Sequence, residues 1–189
     1  ASPMYIFKSV PKLVKLPVPT NTLVNSSGNV LYRFSITSDL AGPTFIEKLT
    51  FPINPVGVTV ENPKVYAYED SSFSIPAFDP AAATSSFAGN LFETHIPLLV
   101  PAGETRYVEM RADTLNVNAG DSLSLQLAGD VTFSGIGTWL EINALEENDF
   151  MWSGISKGGN VTVLDKDWAN GYLVPGLPAG GMSENTFSN

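Results

Sequence analysis

Short stretches in which apolar and polar residues alternate recur along the chain, and the clearest of them is the segment 122–127. It reads Ser-Leu-Ser-Leu-Gln-Leu, with Leu123, Leu125 and Leu127 at every second position. A period of two places successive side chains on opposite faces of a β-strand, so that one face is buried and the other is solvated. The segment therefore predicts a strand of an antiparallel sheet.

The region around this strand, residues 96–133, predicts several successive strands. Turn-forming residues at 101–103 and 119–121 separate its apolar runs, because glycine permits positive φ and proline fixes φ for a turn. Upstream, residues 30–37 and 45–53 also alternate, and we predict that they form a hairpin in the core. The chain is thus predicted to be all-β, an antiparallel β-sandwich of jelly-roll-like type with an extended N-terminal arm.

The remaining sequence adds shorter elements to this framework. We predict a further strand over residues 138–144, and a long surface loop over 69–90 that carries one short strand at 73–75. The sequence contains no repeat of solenoid period and no domain linker. We therefore predict one sandwich domain, residues 20–189, preceded by an arm formed by residues 1–19.

The composition narrows the classes of partner. The 189 residues include 10 Lys and Arg against 19 Asp and Glu, a net charge of -9, so the phosphates of nucleic acid or of an anionic membrane would repel this chain. No apolar run reaches the roughly 18 to 20 residues of a membrane span. The sequence has no cysteine, which excludes disulfides and thiolate metal sites and leaves stability to packing and hydrogen bonds.

The arm differs from the rest of the chain in charge and in proline content. It carries three lysines and no acid, whereas the chain from Thr20 onward carries 7 basic and 19 acidic residues, a net charge of -12. Prolines at positions 3, 11, 17 and 19 exclude a helix and favour extended backbone. Two interpretations stay open: the arm is the first edge strand of its own sandwich, or it adds as a strand to a neighbouring subunit. The apolar residues that would make either contact are Ile6, Phe7, Val10, Leu13, Val14 and Leu16.

Residues that catalyse reactions or bind metals are sparse. His95 is the only histidine, so a multi-histidine metal site is excluded and a Ser-His-Asp triad would have only this residue; we interpret it as a hydrogen-bonded structural histidine. Asp165, Asp167, Asn170 and Gly171 resemble a calcium loop, but the glycine comes one position late for the EF-hand spacing, and an ordinary turn is the alternative. We predict no catalytic residue, no metal and no cofactor, and hence that the protein is not an enzyme.

Three aromatic residues near the C-terminus are candidate ligand or interface residues: Trp152, Trp168 and Tyr172. Aromatic faces are platforms on which sugar rings stack, and large aromatic side chains also anchor cores and interfaces. The sequence leaves both roles open.

The same C-terminal region carries a family resemblance. Residues 150–153 (Phe-Met-Trp-Ser) and 167–178, with 31–34 and 100–105 upstream, resemble secreted β-rich surface proteins of candidate-phyla-radiation bacteria. That family has no established activity, so the resemblance implies no catalytic residues. In outline, a β-sandwich with a free apolar N-terminal arm is also similar to donor-strand filament subunits of the TasA and camelysin type and to archaeal bundling pilins.

Together these features predict a structural subunit of an extracellular filament or surface array, a homopolymer in which the N-terminal strand inserts into the neighbouring subunit. The alternative is an extracellular carbohydrate-binding or adhesion module with a glycan as its partner. The chain begins Ala1-Ser2-Pro3, which predicts a mature product whose export signal has been removed, with an engineered chain as the alternative. We expect the protein at the cell surface, with no nucleic-acid partner and no membrane span.

Overall fold

A computed structural model of the chain describes residues 5–145, 147–157 and 160–189. Its regular structure is almost entirely strand, with one short helix and one 3₁₀ turn at Pro80–Ala82. The elements are β1 (Lys12–Leu16), β2 (Ser26–Thr37), β3 (Thr44–Val56), β4 (Thr59–Tyr68), β5 (Thr84–Ala88), β6 (Leu91–Val100), β7 (Thr105–Leu115), β8 (Ser122–Leu125), α1 (Trp139–Asn143), β9 (Phe150–Ser153), β10 (Trp168–Asn170) and β11 (Asn185–Ser188).

The strands form two antiparallel sheets that pack as a sandwich. One sheet has four strands in the order β1-β2-β7-β4, and the other has seven, in the order β10-β9-β3-β6-β5 with β8 and β11 attached beside β3. Strand β3 serves two sets of partners, because its first part pairs with β6 and β9 and its last four residues pair with β8. The prediction of an all-β antiparallel sandwich is confirmed.

The core between the sheets follows the alternation seen in the sequence. Tyr32, Phe34 and Ile36 lie on the inner face of β2 and are fully buried, as are Leu123 and Leu125 of β8. Removing apolar surface of this kind from water is the main favourable term in folding. Packing therefore supplies what a cysteine-free chain cannot obtain from disulfides.

The predicted hairpin of residues 30–37 and 45–53 is wrong. Both segments are strands, but β2 pairs with β1 and β7 whereas β3 pairs with β6, β8 and β9, so they lie in different sheets. The turn between them is held by Ser38, whose hydroxyl donates to the Val100 carbonyl at 2.9 Å and accepts from the Thr44 N–H at 3.1 Å. Alternation identifies a strand and its buried face, but it does not identify the strand's partner.

The predicted strand over residues 138–144 is also wrong, because this segment forms helix α1. The Thr138 hydroxyl accepts from the Glu141 N–H at 3.3 Å, and the Glu141 carboxylate accepts from the Thr138 N–H at 2.7 Å. This capping box satisfies two of the backbone donors that a helix start leaves unpaired. Among the described residues, no helix has the length and apolarity needed to cross a bilayer.

The loop over residues 69–90 contains a strand, but not at 73–75. That part is a turn in which the Asp70 carboxylate accepts from three backbone N–H groups at 3.1, 3.1 and 2.6 Å, and Phe73 has a φ of 56°. The strand is β5, which is exposed throughout and pairs only with β6. Positive φ at Phe73 is incompatible with an extended strand, which explains the shift of the strand along the chain.

Candidate functional site

The N-terminal arm lies on its own sandwich. Strand β1 pairs antiparallel with the end of β2, where Leu13 stands opposite Ile36, and the Leu13 side chain is only 2% exposed. Phe7 and Val10 pack against the same core from half-buried positions. Residues 1–4 of the arm lie outside the described residues. In the single chain, the described part of the arm therefore occupies the position of an edge strand.

The other three of the six apolar candidates in the arm are more exposed. Val14 and Leu16 alternate with Leu13 and lie on the outer face of β1, where Val14 is 47% exposed. Ile6 is 84% exposed near the start of the described chain. Because exposed apolar side chains on a strand can be covered by a partner, the outer side of the arm is a candidate contact for another chain.

A cleft of about 410 Å³ lies between the arm and the C-terminal part of the chain; we call it the aromatic cleft. Phe7 packs against Trp152 with ring centroids 4.9 Å apart, and Tyr5 packs against Phe133 at the same distance. Phe133 in turn lies 6.5 Å from Tyr172. The rest of the wall is formed by Val10, Leu173 and Val174. The cleft thus unites two sets of candidate residues that lie at opposite ends of the sequence.

Trp152 and Trp168 are core residues rather than surface platforms. Each is 2% exposed, and their indole N–H groups donate to the carbonyls of Asn170 and Thr162 at 2.9 and 3.0 Å. Trp168 belongs to a separate hydrophobic cluster and does not line the aromatic cleft. Neither indole presents an open face to a sugar ring, whereas Tyr172 is half-buried and does line the cleft.

Polar contacts fasten the arm to the C-terminal segment. The Leu13 N–H donates to the Pro175 carbonyl at 2.8 Å, and the Lys15 ammonium donates to the carbonyls of Ser183 and Glu184 at 2.8 and 2.7 Å. Partial burial lowers the pKa of Lys15, and the nearby Glu184 carboxylate opposes that shift. These bonds satisfy part of the edge that β1 would otherwise leave open.

A buried carboxylate holds the C-terminal wall of the aromatic cleft in place. Asp130 accepts from the backbone N–H groups of Asp149, Phe150 and Gly171 at 2.7, 3.3 and 2.6 Å, and Gly171 directly precedes Tyr172. Burial raises the pKa of Asp130, while the three hydrogen bonds oppose that shift. Burial, and second the repulsion from Asp130, also raise the pKa of Asp149 to about 6. Two carboxyl groups therefore lie in one poorly solvated region, where the negative charge of each disfavours ionisation of the other.

We expect Asp149→Asn to stabilise the protein at pH 8 and to leave its stability at pH 4 unchanged. Between the ordinary aspartate pKa of about 3.9 and the folded value of about 6, the folded protein holds a proton that the unfolded chain has released. Stability from this group therefore falls as the pH rises through that interval, and the substitution removes the loss. Urea unfolding at the two pH values should show a gain of about 1 kcal/mol at pH 8, allowing for solvent screening of a half-buried group.

The matched control for this prediction is Glu147→Gln, which removes the same charge from an exposed side chain two positions away. Surface substitutions of this kind change stability by less than about 0.5 kcal/mol. If Asp149→Asn is no more stable than Glu147→Gln at pH 8, neither the burial of Asp149 nor its repulsion from Asp130 lowers the stability of the fold.

The residues of the calcium-like sequence do not converge. Asp165 accepts from the Thr162 N–H at 2.7 Å and Asp167 accepts from the Ser156 N–H at 2.8 Å, while the Asn170 amide donates to the Thr132 carbonyl at 2.8 Å. Each of these side chains serves its own turn or the core. Within residues 5–145, 147–157 and 160–189, no group of three or more potential ligand side chains is placed to hold a metal ion.

His95 has a partner that the sequence does not reveal. It lies in the middle of β6, and its Nδ1 is 2.8 Å from Oε1 of Glu47, which agrees with its interpretation as a hydrogen-bonded histidine. The register between β3 and β6 shifts between Ile46 and Lys48, next to Glu47. Because a register shift decides which side chains stand together, no local signal in the sequence points to Glu47.

No protein-family model matches the chain, and no curated protein matches it. One solved structure, titled "AvmM Catalyzes Macrocyclization in Alchivemycin A Biosynthesis", aligns over 97% of this chain and 90% of that chain, with 6% sequence identity and a TM-score of 0.34. A similarity this weak carries no argument about activity.

Proposed function

We propose that the chain is a structural subunit of an extracellular filament or surface array, and that it assembles by inserting its N-terminal arm into the arm groove of a neighbouring copy. The arm groove is the surface that residues 5–16 cover in the single chain: the edge of β2, the C-terminal wall of the aromatic cleft and the segment around Pro175. The observation that carries the proposal is that an N-terminal edge strand with one buried and one more exposed face fills this groove.

Exchange is favoured by the position of the arm, because an N-terminal edge strand makes contacts that a second copy can supply equally well. Strand β1 pairs with β2 alone among the strands, and Leu13 is the only fully buried residue among the arm's apolar candidates. The same arm on a neighbouring copy would make the same backbone bonds and fill the same cleft, so the exchange replaces each contact with an equal one. Its three lysines also favour binding to a body with a net charge of -12.

The link between the arm and β2 limits the geometry of exchange. Residues 17–20 include Pro17 and Pro19 and lead into a segment where the Leu23 N–H donates to the Ser188 carbonyl at 2.8 Å. Four extended residues span at most about 14 Å, so the acceptor groove must lie close to the donor's own body. A head-to-tail exchange leaves an unfilled groove at one end and an unbound arm at the other, and therefore propagates into a filament.

Arm exchange can be tested with introduced thiols, because the chain contains no cysteine. Val14 and Ser35 stand opposite each other across β1 and β2, at a separation that a disulfide spans. We expect Val14→Cys copies refolded together with Ser35→Cys copies to form a covalent dimer, since this requires the arm of one copy on β2 of another. The double variant should give a ladder of covalent multimers on a non-reducing gel, and electron microscopy should show filaments.

The control mixture combines Ser35→Cys with Val163→Cys, which places the thiol at an exposed position in the turn before β10, and no specific dimer is expected from it. A chain that starts at Thr20 should form no filaments. The proposal is overturned if the double variant yields only internally bridged single chains and the Val14→Cys and Ser35→Cys mixture stays uncrosslinked. Closed dimers without longer species would contradict the filament, but they would still support exchange of the arm between two copies.

A further inference from the structure

A second cleft, of about 340 Å³, lies on the outer face of the seven-stranded sheet, between helix α1 and residues 161–168. We call it the outer cleft. Its walls are mainly apolar and include Phe45, Trp139 and Trp168. The outer cleft shares no lining residue with the aromatic cleft, so a ligand bound in it would be independent of arm exchange.

Backbone hydrogen bonds hold the walls of the outer cleft in position. The Trp139 N–H donates to the Val163 carbonyl at 3.1 Å, and Gly137 and Trp168 exchange two backbone bonds at 3.0 and 3.1 Å. Phe45 packs edge-to-face on Trp168, with ring centroids 6.0 Å apart. Phe45 and Trp139 are half-buried, so each leaves part of its ring open at the cleft. A cleft with fixed aromatic walls is preorganised for a ligand.

Glu47 supplies a negative charge to the outer cleft. Its side chain is 14% exposed; Oε1 bonds to His95 Nδ1 at 2.8 Å, and Oε2 has no hydrogen-bond partner among the described residues. Because a carboxylate only accepts, Nδ1 donates the hydrogen of this bond. No lysine or arginine is among the described residues that line this cleft.

These features select the class of ligand. An anion would be repelled by Glu47, and a sugar would need several hydrogen-bonding partners for its hydroxyls, whereas most of this wall is apolar. A cation is attracted by the negative faces of aromatic rings, and a carboxylate in a poorly solvated site adds Coulomb attraction. We propose that the outer cleft binds a small organic cation with a methylated ammonium head group, held between Trp139 and Phe45 beside Glu47.

Choline and its uncharged isostere 3,3-dimethylbutan-1-ol test this proposal, because their head groups share a shape and differ in charge. In calorimetric titration of the full chain at neutral pH, we expect choline to bind in roughly the millimolar range and the isostere to bind at least about tenfold more weakly. Equal affinity for the two compounds, or no binding of choline, overturns the proposal without any change to the protein.

Two substitutions locate the site. We expect Trp139→Ala and Glu47→Gln each to weaken choline binding at least about tenfold. Their controls are Leu140→Ala, which alters the exposed next residue of α1, and Glu61→Gln, which removes an exposed acid from the other sheet; both should bind choline unchanged. Thermal unfolding shows which variants fold. If Glu47→Gln does not fold, the loss of choline binding in Trp139→Ala decides the test. A neutral sugar that binds in place of choline and is lost with Trp139→Ala would overturn the assignment to a cation.

Discussion

Replacing Glu109 with alanine is expected to lower the free energy of unfolding by about 3 to 5 kcal/mol, the cost of breaking a buried ion pair by removing one partner. Glu109 lies on β7 and its side chain is completely buried. Its Oε1 accepts from Arg33 Nε at 2.6 Å and its Oε2 accepts from Arg111 Nε at 2.8 Å. One carboxylate therefore compensates two guanidinium groups that come from neighbouring strands.

Aromatic rings and a hydroxyl complete the environment of this triad. The Arg33 guanidinium lies over Phe73 at 4.0 Å from the ring centroid, and the Arg111 guanidinium lies over Tyr66 at 4.8 Å. Arg111 also donates to the Tyr68 hydroxyl at 3.0 Å. Without the carboxylate, two like charges would lie close together with only two ring faces and the Tyr68 hydroxyl as partners, which is why the expected loss is large.

Urea unfolding at pH 7 measures this loss. Glu104→Ala serves as the control, because Glu104 is an exposed acid directly before β7. We expect the control to change stability by less than about 0.5 kcal/mol. A loss below about 1 kcal/mol for Glu109→Ala, the range of an exposed pair, would show that solvent reaches the triad.

Gly176→Ala is the second substitution with a large expected effect. Gly176 has a φ of +83°, and a Cβ built there would overlap the carbonyl oxygen of Leu13 in the arm. The left-handed conformation costs a residue with a Cβ about 1 kcal/mol, and the overlap adds about 1 to 3 kcal/mol. We expect a total loss of about 2 to 4 kcal/mol, the sum of these two costs, with the arm as the part that moves.

Limited digestion with trypsin reports on the arm, because Lys8, Lys12 and Lys15 all lie in it. We expect Gly176→Ala to be cleaved there faster than the unaltered chain. The control is Gly180→Ala, since a Cβ at Gly180 meets no atom within 4 Å and should alter neither stability nor cleavage. Slow cleavage of Gly176→Ala would mean that the C-terminal segment, rather than the arm, yields to the added methyl group.

The strands of this fold are visible in the sequence, but their partners are not. The alternation over residues 122–127 correctly marks Leu123 and Leu125 as buried, because burial of one face is a local property of a strand. The predicted pairing of residues 30–37 with 45–53 is wrong, because pairing depends on the path of the whole chain.

Helix α1 has a local signal that competes with the alternation around it. Threonine at 138 followed by glutamate at 141 is the spacing of a capping box, and the structure shows both of its hydrogen bonds. The alternation of Trp139, Leu140 and Ile142 favours a strand instead. Helix α1 has only five residues, so the apolar alternation within it is a weak signal for a strand. The two hydrogen bonds of the capping box favour the helix more strongly.

The long-range side-chain pairs within the two sheets have no local signal in the sequence. His95 and Glu47 are 48 positions apart, and Arg33 and Glu109 are 76 apart. Each pair depends on which strands are neighbours and in what register. The aromatic cleft is similar: Phe7 and Trp152 are both candidates from the sequence, but only the fold places their rings 4.9 Å apart.

The contacts between the two ends of the chain set the order in which it folds. Lys15 bonds to carbonyl groups 168 and 169 positions away, and β8 pairs with β11 near the C-terminus. Contacts of such high sequence separation form late, because the loop they close carries a large entropic cost. During synthesis Lys15 must therefore wait until residues 183 and 184 have left the ribosome, and until then the outer edge of β1 stays open.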